Sequence, residues 1–187
     1  MGSTLYGIFV AMPRLSWRAG LLVILLVGAP VPTGAARADA QPHCSNEVRG
    51  HNAELGRTIL EEVLGEGRVA ENEHLYHPDF VAHSTRTGGS DATRAEDREA
   101  TVGWRAAAPN LRVTVERVAA DCGFVAVHFR AEGANTGAAM GLPGNGAAFD
   151  VQGITMFAVR DGLIAEEWTV FDQFGLLGQL DMLPPPE

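Results

Sequence analysis

Residues 149–172 read FDVQGITMFAVRDGLIAEEWTVFD, and this stretch decides the fold. Two apolar, β-branched runs, Phe149–Arg160 and Leu163–Phe171, meet at Arg160-Asp161-Gly162. An Asp-Gly pair between such runs is a strong signal for a tight two-residue hairpin. Working backwards, the period stays at two. Leu111, Val113 and Val115 alternate with Arg112, Thr114 and Glu116, and after a turn at Asp121–Gly123, Val125, Val127, Phe129 and Ala131 alternate with Ala126, His128, Arg130 and Glu132. Glycine-rich Gly133–Ala147 reads as a long loop between the second and third of these four strands.

Upstream of Leu111 the period lengthens to that of a helix. Val48, Leu55, Ile59, Leu60, Val63 and Leu64 recur at helical spacing and stop at Gly65-Glu66-Gly67. A short helix is expected over Arg68–Leu75, a short strand over Asp79–His83, a polar loop over Ser84–Thr93, and a helix capped by Thr93 that runs to about Ala107. A last helical turn is expected at Phe174–Leu180. Helices first and an antiparallel run afterwards mean α+β rather than alternating α/β. The expected architecture is a curved antiparallel sheet wrapped around N-terminal helices into a cone that holds a pocket.

The two ends read differently. Arg14 and Arg18 precede the uncharged apolar run Ala19–Val27, and Ala36-Arg37-Ala38 offers a small-residue cleavage site, so residues 1–38 read as a signal peptide. The apolar run is too short for a membrane span and is followed by Pro30 and Pro32; a retained anchor is the alternative. Residues 39–47 form a tether, 48–183 the domain and 184–187 a tail. The expected product is therefore exported, periplasmic or secreted. Loss of three arginines and no acid shifts the net charge from −9 to −12, which disfavours nucleic acid and anionic membranes as partners. Cys44 and Cys122 are the only cysteines. In an oxidising compartment they can bridge the mature N-terminus to a hairpin turn, with two separate thiols as the alternative. Their spacing fits neither a zinc site nor a redox C-x-x-C pair.

No phosphate loop, nucleophile elbow, zinc-protease motif or Cys/His metal pattern is present, so no metal or cofactor is expected. What remains is acid–base chemistry by His and carboxylates in a pocket. On the last strand Glu166, Trp168, Val170 and Asp172 share one face, because strand side chains alternate. Two acids beside a tryptophan suit a pocket wall, and an apolar setting would raise a carboxylate's pKa. The alternative has Glu167, Thr169 and Phe171 looking inward. His83, at the end of its short strand, is a candidate polar partner, and Gln152 on the neighbouring strand could reach the same site. Met140 and Met156 read as core or pocket wall. His77 reads as a turn residue, and His128, on a face with Arg130 and Glu132, as solvated or dimer-facing.

Three segments in order resemble the SnoaL-like polyketide cyclases of the nuclear-transport-factor-2-like superfamily. Tyr76-His77-Pro78-Asp79-Phe80-Val81-Ala82-His83 is similar to their Y-x-P-D-F-x-x-H segment. Thr136-Gly137 and Gly141-Leu142-Pro143 resemble the loop before the third strand. Asp161-Gly162-Leu163-Ile164-Ala165-Glu166-Glu167-Trp168, Asp172 and Gly175-Leu176-Leu177-Gly178-Gln179-Leu180 resemble their D-G-x-I-x-E-x-W…D…GLLxQLG ending. The resemblance covers about residues 48–183. It implies a cone-shaped α+β fold, a homodimer, and cofactor-free ring closure in which a pocket carboxylate is the general acid/base for a small apolar carbonyl compound. On that basis Asp172 is the first candidate, with His83 as partner and Glu166 in reserve. Trp168, Gln152, Phe80, Met156 and Asn135 are the expected pocket residues. The chain departs from the pattern at Asn135, where many members have a histidine, at Glu167, where a histidine often precedes the tryptophan, and at Asp181 in place of the last glycine. An exported, non-catalytic carrier for a lipophilic molecule and a plain dimerisation module are the competing readings.

Overall fold

The computed structural model describes residues 44–85 and 89–183. The expected signal peptide, most of the tether and the C-terminal tail lie outside the described residues. Helix α1 (Asn46–Thr58) starts at Ser45, whose hydroxyl accepts the Val48 N–H at 3.1 Å. It continues without a break into a π-helical segment, Ile59–Glu66, that ends at left-handed Gly67. The sequence reading expected a single α-helix. The wider winding of the second half presents Ile59, Leu60, Val63 and Leu64 together to the interior. The expected helix over Arg68–Leu75 is only a turn followed by one 3₁₀ turn, Glu73–Leu75. Buried Asn72 makes the local bonds there, donating to the Arg68 carbonyl and Glu62.

Strand β1 (Tyr76–His83) begins earlier than expected and carries Pro78. Its parallel pairing with the last strand breaks register between Tyr76 and Val81, which frees the position where proline has no N–H to give. After the two-residue β2 (Ala92–Thr93), helix α2 (Arg94–Ala107) starts in a full capping box, Thr93 and Glu96 each bonding the other's backbone. Strands β3 (Arg112–Ala120), β4 (Phe124–Ala134), β5 (Ala148–Arg160) and β6 (Leu163–Phe171) form the expected antiparallel run, and α3 (Gln173–Gln179) closes the described chain.

Together they make one six-stranded curved open sheet in the order β2-β1-β6-β5-β4-β3. The fold is α+β: α1 and its π segment pack on β3 and β4, and α3 packs on β5. The inward rows Val125, Val127 and Phe129, then Phe149, Val151 and Phe157, form the core with Leu55, Ile59, Leu60 and Val63. Cys44 and Cys122 are joined in a disulfide between the start of α1 and the β3–β4 turn. Asn52 fastens the same turn, donating to the Asp121 carbonyl at 2.7 Å.

The β5–β6 hairpin turns on Asp161 and Gly162, both at positive φ (54° and 75°), the geometry that makes Asp-Gly a favoured pair here. Its register decides everything about the site. Arg160 pairs with Leu163 and Val159 with Ile164, but Ala158 then pairs with Glu166 and Phe157 with Glu167. Ala165 is thus a bulge, one extra residue on β6. A continuous hairpin would have set Glu166 opposite inward-facing Phe157. The bulge moves every later residue by one, so Glu167, Thr169 and Phe171 face the interior and Glu166, Trp168 and Val170 the outer side.

Candidate functional site

Between the sheet and the helices lies a cavity of about 240 Å³. Its walls are largely apolar: Leu60, Val63 and Leu64 from the π segment, Trp104 from α2, and Phe129, Phe149 and Phe171 from the sheet. Two carboxyls open into it, Glu167 from β6 and Asp97 from α2, together with the phenol-bearing Tyr76 of β1 and the hydroxyls of Thr101, Thr155 and Thr169. A cavity of this size suits a small ligand, at the low end of what proteins enclose.

The acids are supported from two sides. Arg94, at the start of α2, donates to Asp97 at 2.7 Å and to Glu73 at 2.9 and 3.2 Å, and its guanidinium lies 3.5 Å above the Tyr76 ring. On the sheet side the Thr169 hydroxyl donates to Glu167 Oε1 at 2.7 Å, and the Thr155 and Thr169 hydroxyls are 2.7 Å apart. Burial is the main cause that pushes the Glu167 carboxyl up to about 7, with the charge of Asp97 adding to it; Thr169 and Arg94 pull the other way. Burial likewise raises Asp97 above the usual carboxylate range in spite of Arg94. Tyr76 is driven far above the usual tyrosine range by burial, so it stays a neutral O–H donor. A carboxyl half protonated near neutral pH can both take and return a proton.

Asp172 does not line this cavity. It caps α3, with Oδ1 accepting the Gly175 N–H at 2.8 Å. A side chain at 175 would collide with that carboxylate, which accounts for the glycine there. Glu166 and Trp168 lie on the outer face, for the register reason already given. His83 joins them there: its Nε2 is 2.7 Å from Glu166, its Nδ1 is 3.0 Å from Asp91, and its ring stacks on Trp168 at 4.6 Å. The Glu166 hydrogen bond, against an opposing burial effect, raises the His83 pKa above the ordinary histidine value. His83 borders a second, more polar hollow of about 410 Å³, which shares Glu167, Thr169 and Phe171 with the apolar cavity. Glu167 therefore stands in the wall between the two.

The remaining expected pocket residues also sit elsewhere. Gln152 is on the outer face with its Oε1 2.9 Å from His128, and Met156 is exposed on the same face. Phe80 is core, edge-on to Tyr76 at 5.2 Å. Asn135 is fully buried but structural: it donates to the Ala107 and Gly137 carbonyls and accepts the Gly144 N–H, pinning the β4–β5 loop. Among the described residues no cluster of His, Cys, Asp or Glu is gathered to hold a metal, and no helix is long and apolar enough to cross a membrane.

Residues 54–180 match the family described as SnoaL-like polyketide cyclase. Among solved structures, IdmH from Streptomyces antibioticus, a proposed polyketide cyclase, is 26% identical with a TM-score of 0.61, over 70% of this chain and 98% of its own. A proposed SnoaL-like polyketide cyclase from Jannaschia sp. CCS1 is 25% identical with a TM-score of 0.64, over 75% and 98%. AclR from Streptomyces galilaeus, a proposed hydroxylase, shares the fold at 20% identity and a TM-score of 0.65, over 74% and 90%. No curated protein matches the chain.

Proposed function

Because the chain belongs to the SnoaL-like polyketide cyclase family, we propose that it carries out cofactor-free proton transfer on a small, largely apolar carbonyl compound bound in the inner cavity. The observation that carries this is Glu167, an acid set into a largely apolar wall and pushed up to about 7. Its carboxylate takes a proton from a carbon next to a carbonyl group. The electron pair moves onto the carbonyl oxygen, and Glu167 then returns the proton at the end of the ring closure or isomerisation. Tyr76, held neutral by burial, is the wall's O–H donor for the oxygen on which charge develops. Asp97 keeps Glu167 basic: two carboxyls sharing one apolar wall resist ionising together.

This reading replaces Asp172 and Glu166 with Glu167 as the proton carrier. We take the working unit to be an exported homodimer. The outer sheet face supports this, because Ile154, Met156 and Val170 are 49%, 41% and 54% exposed there on two adjacent strands.

Native mass spectrometry of the protein from its own host tests the dimer and the cavity at once. The expected result is twice the chain mass plus a retained small apolar carbonyl compound. Wild-type protein then converts the released compound, and Glu167→Gln binds it but turns it over at least 100-fold more slowly. Equal turnover by Glu167→Gln would overturn the acid–base role. A ligand released unchanged by wild type after prolonged incubation would instead support the carrier reading.

A further inference from the structure

We propose that Thr169 and Thr155 are positioning residues, which fix the orientation of the Glu167 carboxylate and stabilise its ionised form. The inference rests on the reading of Glu167 as proton carrier and adds the device that controls it. Glu167 and Thr169 are two apart on β6 and so share a face, and Thr155 is the direct cross-strand partner of Thr169 on β5. Thr169 Oγ1 donates to Glu167 Oε1 at 2.7 Å, and Thr155 Oγ1 is 2.7 Å from Thr169 Oγ1. A hydroxyl has only one proton. That of Thr169 is committed to the carboxylate, so the Thr155 hydroxyl is the donor in the second bond.

Both protons thus point along one line towards Glu167. A chain in which each donor polarises the next strengthens the last bond, and that bond is to a charge. Thr155 is 1% exposed, so water does not compete for its hydroxyl. Among the described residues Thr169 supplies the only hydrogen bond to the Glu167 carboxylate. The charged and titratable groups around Glu167 are Asp97 and Arg94 from α2, Tyr76 from β1, Glu73, held by Arg94 and acting on both Tyr76 and Asp97, and, on the polar hollow, His83 at the end of β1. β5 contributes no charge to the cavity wall, only Thr155 and apolar residues. A threonine pair chosen only for its fit to a strand would survive replacement by valine, which has the same shape and β-branching.

The test needs no substrate. Protein labelled with ¹³C at the glutamate carboxyl is titrated by NMR, and the Glu167 signal is identified by its absence in Glu167→Gln. Thr169→Val should move the Glu167 midpoint up by about one pH unit, and Thr155→Val about half as far. Thr169→Ser should return it to the wild-type value. The double valine variant should match Thr169→Val alone, because Thr155 acts only through Thr169. An unchanged midpoint in Thr169→Val, or a Thr155 effect that persists in full on that background, would overturn the proposal. If Thr169→Val does not fold, Thr155→Val and Thr169→Ser decide it. A wild-type midpoint at the ordinary glutamate value would overturn the acid–base reading, while the shifts in the valine variants would still decide the hydroxyl chain.

Discussion

An acid that holds its proton to about pH 7 in the folded chain but releases it near 4.5 when unfolded ties stability to pH. Below pH 4.5 both states are protonated and Glu167 has no effect. Between 4.5 and 7 the folded chain keeps a proton that the unfolded chain gives up, so stability falls as pH rises, and the loss is complete above about 7. Glu167→Gln removes this dependence. The variant should match wild type at pH 4 and exceed it at pH 8 by on the order of 3 kcal/mol, read from urea midpoints. His83, on the other side of the strand, tilts stability the same way, though over a higher pH range and by stabilising the fold when charged. Its folded pKa is raised, so its contribution is full below the ordinary histidine value and fades as pH climbs through the folded one. Comparing Glu167→Gln with wild type at each pH cancels the His83 contribution. A cost rather than a gain at pH 8 would mean that Glu167 is ionised and well paired there.

At the scale of elements, the β5–β6 hairpin shows what was legible and what was not. Asp161-Gly162 located the turn to the residue, and the alternation of β6 showed which of its side chains travel together. Which set faces the interior hung on a single bulged residue, Ala165, and a small apolar residue in a strand carries no mark of a bulge. The tryptophan between two acids then looked like a pocket wall, although it is the floor for His83 on the outer face. The inner cluster did leave a trace. Asp97, Thr101 and Trp104 fall on one face of α2, and an acid within an apolar helical stripe is a signal of a polar group aimed inward. The position before Trp168, held by Glu167, is the one that opens into the cavity. Asp172 gives a direct check on the corrected assignment. Asparagine caps a helix about as well as aspartate, so Asp172→Asn should keep both stability and the Glu167 midpoint. Asp172→Ala should cost about 1 kcal/mol through α3 alone. A change of the Glu167 midpoint in Asp172→Asn would place that carboxylate back at the site.

For the domain as a whole, the sheet and the helices of the N-terminal half are held together largely by packing on one concave face, and that face is partly given up to a cavity. A molecule built this way gains from a constraint on its open chain, and the Cys44–Cys122 bridge supplies one. It closes 78 residues, from the start of α1 to the β3–β4 turn, and so spans α1, its π segment, β1, α2 and β3. Cross-linking a loop of that length removes unfolded-state freedom worth roughly 4 kcal/mol. For a domain of this size that corresponds to on the order of 10 °C in thermal midpoint. Neither cysteine lines the cavity, so the effect should be on stability and not on the site. Wild-type protein in reductant, Cys44→Ser, Cys122→Ser and the double variant should all melt at the same lowered temperature, and reductant should move none of the three variants. The Glu167 midpoint should stay where it is in all of them. If reduction shifted that midpoint along with the melting temperature, the bridge would be holding the cavity walls in place as well as restraining the unfolded chain.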